Sequence, residues 1–275
     1  MVTSGPPVRR CLLYTSGDFV PYRFKRDGGA VTTLDAQCDG YWVPTAGSSE
    51  YGLTQVETFD LADASSAVRE TAIVGAVQTV YANASTMVLA GQSFDTSRFV
   101  GALPATEEFM VNTTYLHRFD LDQDPNAATY TGSATIPGSL IDQFAIDEKD
   151  GVLRVATHVS LSTGDEWSET NALYTVSGAQ GALSIAGRVE GVAPNEQMYS
   201  ARFVGNRGYF VTFEQVDPLF VFDLSNPAAP KLQGELTIPG FSEYMHPIDD
   251  GHLLTIGVDD GGWGLAIQIL SLIHI

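Results

Sequence analysis

The sequence is poor in basic residues. Lysine and arginine number 14 against 33 aspartates and glutamates, leaving a formal net charge of −19. Nucleic acid and anionic membrane surfaces recruit basic patches, so both are excluded as partners. Cysteine is scarcer still. Cys11 and Cys38 form no Cys-x-x-Cys pair, and this is not a disulfide scaffold. No apolar run approaches the roughly 18 residues that a membrane helix needs, so no membrane insertion is expected. The first thirty residues lack the apolar stretch of a signal peptide.

The commoner chemical signatures are missing too. None of the five histidines, His117, His158, His246, His252 and His274, stands in a His-x-His or His-x-x-x-His pair, so no zinc site is signalled. There is no Gly-x-Ser-x-Gly elbow for a hydrolase nucleophile. There is no glycine-rich phosphate loop, since Gly261-Gly262-Trp263-Gly264 opens a strand. No catalytic residue, cofactor or metal ligand is assigned from the sequence.

What is present is a rhythm of short apolar runs. The 275 residues are 44% hydrophobic with a mean hydropathy of +0.03, enough to bury a sizeable core. MYSARFVG (198–205) reads as a strand, Asn206-Arg207-Gly208 as a tight turn, and GYFVTF (208–213) as a second strand. LFVFDL (219–224) is a third, and KLQGELTIPG (231–240) holds a fourth, more polar one. The prolines of SNPAAP stop the third run, because proline cannot donate to a sheet ladder. Four short antiparallel strands with the least apolar outermost describe one propeller blade.

The pattern recurs. TYLHRFDLDQDPNAATYTGSATIPG (114–138) matches PLFVFDLSNPAAPKLQGELTIPG (218–240), and SLIDQFAIDEKDGVLRVATH (139–158) matches FSEYMHPIDDGHLLTIG (241–257). Looser copies run over 171–205 and 54–91. The Phe-Asp-Leu aspartates Asp60, Asp120 and Asp223 lie 60 and 103 residues apart, with Val176 at the intermediate position. The period is about 47–60 residues, that of four-stranded blades. In the stretch before residue 54, FVPYRF and AVTTLDA suit two outer strands of an earlier blade, and CDGYWVP an inner one. The expected fold is all-β: a partial β-propeller of about four to five four-stranded antiparallel blades.

The connection between second and third strands varies most. It grows to about 12 residues in STGDEWSETNAL and to over 20 in QSFDTSRFVGALPATEEFMVNTT. Insertions in one connection project from one face of the disc, which makes that face the candidate binding surface. Trp167, Phe94 and Phe99 lie in these insertions, where aromatics either pack the loop onto its own blade, the plainer expectation, or anchor a peptide or sugar partner.

Candidate chemistry is sparse. Asp120-Leu121-Asp122-Gln123-Asp124 begins like a calcium loop, but Pro125 stands where the turn needs glycine and Thr131 where a bidentate glutamate belongs. A polar turn is the expectation there. Asp249-Asp250 and Asp259-Asp260 lie in turns, where adjacent carboxylates point into water rather than across a substrate. The sequons at Asn83 and Asn112 matter only in a glycosylating pathway. The inner strands, expected near 36–43, 76–81, 139–146, 197–204 and 242–248, supply Asp39, Asp142, Asp147, Glu243 and His246 to the central channel.

RFDLDQDP with GSATIPGSLIDQFAIDEKDGVLRVAT, and the long stretch 187–257, resemble a family of secreted bacterial and archaeal proteins. Its members carry a C-terminal β-propeller distantly related to WD-type repeats. The resemblance covers roughly residues 19–270 and also includes the Cys38 segment. It implies a secreted or cell-envelope location and no catalytic residues. A full member is longer and begins with an export signal, so the chain reads as an internal piece. VRRCLLYTS (8–16) and LSLIHI (270–275) resemble translated sequencing-adapter DNA. The expected organisation is therefore an adapter-derived or disordered segment over 1–16, the propeller over 17–270, and an adapter-derived tail over 271–275. The expected function is a non-enzymatic scaffold that binds a protein or glycan partner at the loop face. The alternative is a propeller hydrolase of glycans or lactones with a metal or acid–base site in the channel.

Overall fold

The computed structural model describes residues 23–271 apart from 28, 35–39, 44–51, 64–67, 96–108, 125–126, 164–165, 179–180, 214–216, 239, 250 and 259–263. Strands β1 (Arg23–Asp27) and β2 (Ala30–Leu34) pair as a hairpin, as the FVPYRF and AVTTLDA runs suggested. Strands β3 (Tyr41–Trp42), β4 (Leu53–Thr58) and β5 (Arg69–Val74) make the first sheet, ordered β3-β5-β4. The second blade runs β6 (Thr79–Ala82), β7 (Thr86–Asp95), β8 (Phe109–Asp120) and β9 (Thr129–Pro137), all antiparallel. The third comprises β10 (Ile146–Lys149), β11 (Val152–Thr163), β12 (Glu166–Ser177) and, after the two-residue β13 (Gly181–Ala182), β14 (Ser184–Val192).

The fourth blade is β15 (Gln197–Val204), β16 (Arg207–Phe213), β17 (Asp217–Asp223) and β18 (Lys231–Ile238), in sheet order 15-16-17-18. This is the reference repeat read from the sequence. The fifth sheet holds β19 (Phe241–Asp249), β20 (His252–Val258) and β21 (Leu265–Ser271). One turn falls a residue earlier than expected. Gly205, at φ +55°, and Asn206 make it, and Gly208 lies inside β16. A Cβ on Gly208 would come within 3.2 Å of Leu173 and Phe203, so this glycine serves blade-to-blade packing rather than the turn.

Alternation places one face of each sheet against the next. One core unites the second, third and fourth blades through Leu116, Ile136, Leu153, Leu173, Phe210 and Phe222. Tyr209, Val211, Val221, Met245 and Leu253 join the fourth and fifth. Ile73, Leu89, Phe119 and Tyr130 join the first and second. Each fully buried side chain of this size stabilises by about 1.5–3 kcal/mol relative to exposure.

Three expectations are corrected. CDGYWVP is not an inner strand: β3 pairs in parallel with β5 on the side away from β4, and its Trp42 ring lies 5.0 Å from that of Tyr130. Apolar cover for the seam between the first two sheets favours that place over a channel position. The inner strand expected over 139–146 is broken. Ser139 makes one bridge to His158, a 3₁₀ turn follows at Gln143–Ala145, and β10 begins at Ile146.

The long connections are the third correction, because their described residues are strand. β11 runs on to Thr163 and β12 starts at Glu166, while β7 reaches Asp95 and β8 starts at Phe109. These extensions pair across blades, with Val111 opposite Leu161 and Phe109 opposite Thr163. A free strand edge leaves backbone groups unpaired, and the two arms satisfy each other. Together with the parallel pairing of β13 to β9, this fuses the second and third blades into one nine-stranded sheet.

Candidate functional site

The break in the third inner strand builds a cavity. Asp142 starts the turn: its Oδ1 accepts hydrogen bonds from the Phe144 N–H at 2.7 Å and the Ala145 N–H at 3.1 Å. Ala145 is fully buried and pins the turn to the core. Gln143, Phe144 and Asp147 then line a cavity of about 280 Å³ together with Tyr81 of β6 and Arg202 and Phe203 of β15. Three consecutive blades contribute to it.

Its charges are arranged in two tiers. Arg154 is only 6% exposed, in the apolar run VLRVATH. Its Nε donates to Asp147 Oδ2 at 2.6 Å, its Nη2 also bonds that oxygen, and its Nη1 donates to the Gly205 carbonyl at 2.5 Å. The guanidinium lies 5.4 Å from the Phe203 ring centroid. Each of the three guanidinium nitrogens of Arg154 donates a hydrogen bond, which offsets the burial of the cation. Burial raises the carboxyls of Asp142 and Asp147 above the usual carboxylate range. Backbone N–H groups oppose this at Asp142 and Arg154 opposes it at Asp147. Arg202 forms the upper tier. It lies 4.7 Å over the Phe144 ring and, among the described residues, donates no hydrogen bond.

Aromatic contacts extend the surface to the fifth sheet. Phe144 meets Tyr244 edge-on at 5.4 Å, and Tyr244 stacks on His246 at 6.2 Å with its hydroxyl 3.2 Å from His246 Nδ1. On the opposite side the Tyr81 hydroxyl accepts from the Glu148 N–H at 3.1 Å and from Asn83 Nδ2 at 3.4 Å. Burial, with the Asp147 charge, raises the Tyr81 phenol.

Of the channel residues read from the sequence, Asp142 and Asp147 therefore share a site, and His246 joins through Tyr244. Glu243 is exposed and outside it, and Asp39 lies outside the described residues. The sequence reading weighed only carboxylates and histidines on the inner strands. It missed Tyr81, Phe144, Arg154 and Arg202. A cation inside VLRVATH, with apolar neighbours on both sides, was the available signal.

The remaining candidates serve the fold. The Phe-Asp-Leu aspartates are turn caps. Asp60 Oδ1 accepts from the Ala62 N–H at 2.8 Å, Asp120 Oδ1 from Asp122 and Gln123 at 2.9 Å, and Asp223 Oδ1 from Ser225 at 2.9 Å. Asp124 turns away to Arg69 at 2.6 Å, and Pro125 lies outside the described residues. Among the described residues no group of three or more His, Cys, Asp and Glu side chains could hold a metal ion.

Asp249 caps its hairpin through Gly251 and faces His252 Nδ1 at 2.8 Å. The sequon asparagines are also structural. Asn83 Nδ2 donates to Glu148 at 2.9 Å. The buried Asn112 donates to Ser139 Oγ at 2.8 Å and the His158 carbonyl at 2.9 Å, and accepts from the Ser160 N–H at 2.8 Å. One blade on, Asn171 repeats the role, donating to the Glu196 carbonyl at 3.0 Å while its Oδ1 lies 3.1 Å from His158 Nδ1. Asn112 on β8 and Asn171 on β12, each the third strand of its blade, thus tie that strand to the segment that leads into the next blade.

His117 is fully buried in the seam between the first and second sheets. Among the described residues neither ring nitrogen has a hydrogen-bond partner, and desolvation lowers its pKa to about 4. Trp167 is 58% exposed on the long β11–β12 arm, its Nε1 donating to Glu169 at 3.1 Å. Phe94 pairs through its backbone with Asn112. Its side chain, like Phe99, Asp250, Asp259, Asp260, Cys11, Cys38, His274, the adapter-like segment 8–16 and residues 272–275, lies outside the described residues, whereas Leu270 and Ser271 of the C-terminal adapter-like run end β21.

Successive antiparallel sheets packed face to face, with a cavity on the inner strands, define a β-propeller. The chain belongs to the beta propeller domain family, whose model matches residues 15–270. It is similar to an uncharacterized protein of Archaeoglobus fulgidus, 40% identical over 161 residues, which is 58% of this chain and 24% of that protein. It is also similar to an uncharacterized protein of Methanocaldococcus jannaschii, 34% identical over 183 residues, which is 60% of this chain and 28% of that one. The chain thus spans about a quarter of the length of the curated relatives it matches.

Proposed function

We propose that the chain is a non-enzymatic scaffold that binds a protein or glycan partner, acting in the cell envelope or outside the cell. The observation that supports it is the inner-strand cavity. Its two carboxylates are already engaged, Asp142 by backbone N–H groups and Asp147 by Arg154, while Arg202 and an aromatic wall stay available for recognition. Recognition needs fixed donors and an apolar wall. Acid–base catalysis needs a pair of groups free to exchange protons across a substrate. The extracellular part of the proposal is drawn from the resemblance in the sequence.

A hydrolase is the second reading, and one observation favours it: two carboxyls beside the same cavity both hold their protons more tightly than usual. The test is incubation of the purified chain with panels of glycans and lactones. Retention of a glycan with no product is the expected result. Product release that disappears in Asp147→Asn would establish the hydrolase instead.

A further inference from the structure

Resting on that binding reading, we propose that the cavity beneath Arg202 accepts one ring of a neutral saccharide. Charge restricts the ligand first. Asp147 and Arg202 line the cavity with opposite charges, and Asp142, Glu148 and Arg154 stand close behind them, so groups of both signs face a ligand. A free anion meets these carboxylates in a chain of net charge −19. A free cation meets Arg202 with no carboxylate in ion-pair contact to neutralise it among the described residues. A neutral ligand avoids both penalties.

The uncommitted polar groups then narrow the class. Arg202 offers its N–H fork. Tyr81 accepts two hydrogen bonds, and its own proton has no acceptor among the described residues. Asp147 gives Oδ2 to Arg154 and keeps Oδ1 without a hydrogen bond among the described residues. Two donors and an acceptor thus line one small cavity. A ligand that fills them must itself accept and donate from neighbouring positions. A hydroxyl does both, and a sugar ring carries several side by side.

Phe144, Ile146 and Phe203 supply the apolar wall that the C–H face of such a ring requires. At about 280 Å³ the cavity is at the small end of ligand sites, which run from roughly 300 to 1,000 Å³. It suits a single ring, and its place on the inner strands leaves the rest of a glycan outside it.

The test is titration of the full chain with methyl glucoside and N-acetylglucosamine, read by ligand-observed NMR and calorimetry. Glucuronate and glycine serve as charged comparators. Saturable binding of a neutral sugar in preference to both comparators is expected. Arg202→Met keeps an apolar stem over Phe144 and should weaken binding about 10- to 100-fold, the worth of hydrogen bonds from a charged group. Tyr81→Phe should weaken it roughly three- to tenfold. Circular dichroism should show both variants folded, and Trp167→Ala on the hairpin arm should bind unchanged.

Preference for glucuronate or glycine overturns the proposal, as does a sugar bound equally well by both cavity variants. Absence of saturable binding of either sugar by the folded chain overturns it as well. Each of these leaves the scaffold reading standing. Release of product from a glycan is the separate result that removes the scaffold reading.

Discussion

The fourth blade and the first sheet carry the same tripeptide in opposite surroundings. In the fourth blade Phe222 is fully buried and Leu224 is 4% exposed. In the first sheet Phe59 is 60% and Leu61 91% exposed. The aspartate between them does one job in both places, accepting a backbone N–H two residues on at 2.8–2.9 Å. Local chemistry travels with the motif. Burial does not, because it comes from the neighbouring sheet: Leu173 of the third blade shares a core with Phe222 and Leu224.

The same contrast divides the ion pairs. Arg154–Asp147 sits at a blade seam with the arginine buried, whereas Arg69–Asp124 has side chains 56% and 32% exposed.

The largest test of this comparison is truncation of the shared phenylalanine. Phe222→Ala should destabilise by about 3–5 kcal/mol, and Phe59→Ala by no more than about 0.5 kcal/mol, in urea titrations of the two variants. Equal losses would mean that the motif, not its neighbour, carries the energy. Next comes the buried ion pair. Arg154→Met should cost about 3 kcal/mol by leaving Asp147 without its partner, while Arg69→Met should cost under about 1 kcal/mol.

Acid is the third probe. His117 titrates near 6.5 in the unfolded chain and near 4 in the fold, so the unfolded state binds more protons between those values. Stability conferred by the neutral ring is complete above pH 6.5 and is lost as the pH falls toward 4, by about 3 kcal/mol in all. Denaturation midpoints measured across that range should drop in the native chain, and His117→Leu should flatten the drop. The smallest effect tests the seam between third and fourth blades. A Cβ at Gly187 would lie 2.4 Å from the Pro227 carbonyl, so Gly187→Ala should lose about 1–3 kcal/mol in thermal melts.

The blades were legible where period, turn and proline agreed. Residues 197–240 show this best, as strands β15 to β18 end within one or two residues of the expected breaks. Reading failed where pairing partners are distant. The residues Leu161–Thr163 carry no sign that their backbone will pair with Phe109–Val111, some fifty residues earlier. The single-strand alternation of 139–146 likewise hid the Asp142-capped turn. That turn needs only one side chain and two N–H groups, and its location follows from Ala145 finding the core. At the site, Asp142 and Asp147 were named from sequence. Arg202 was not, because an arginine in a strand reads as ordinary surface until Phe144 of another blade is placed beneath it.

By itself the sequence determined the all-β class, the repeat, the turn-capping aspartates and the hostility of the surface to polyanions. Each of these follows from short-range chemistry: alternation of side chains, proline without a donor, carboxylates that accept nearby N–H groups, and summed charge. Tertiary structure alone decided which copies of the motif are buried, how the second and third blades fuse, and that Tyr81, Phe144, Asp147 and Arg202 face one cavity. Those outcomes depend on contacts between strands distant in sequence, and the burial and charge balance of any one residue are set by what the neighbouring blade brings to it.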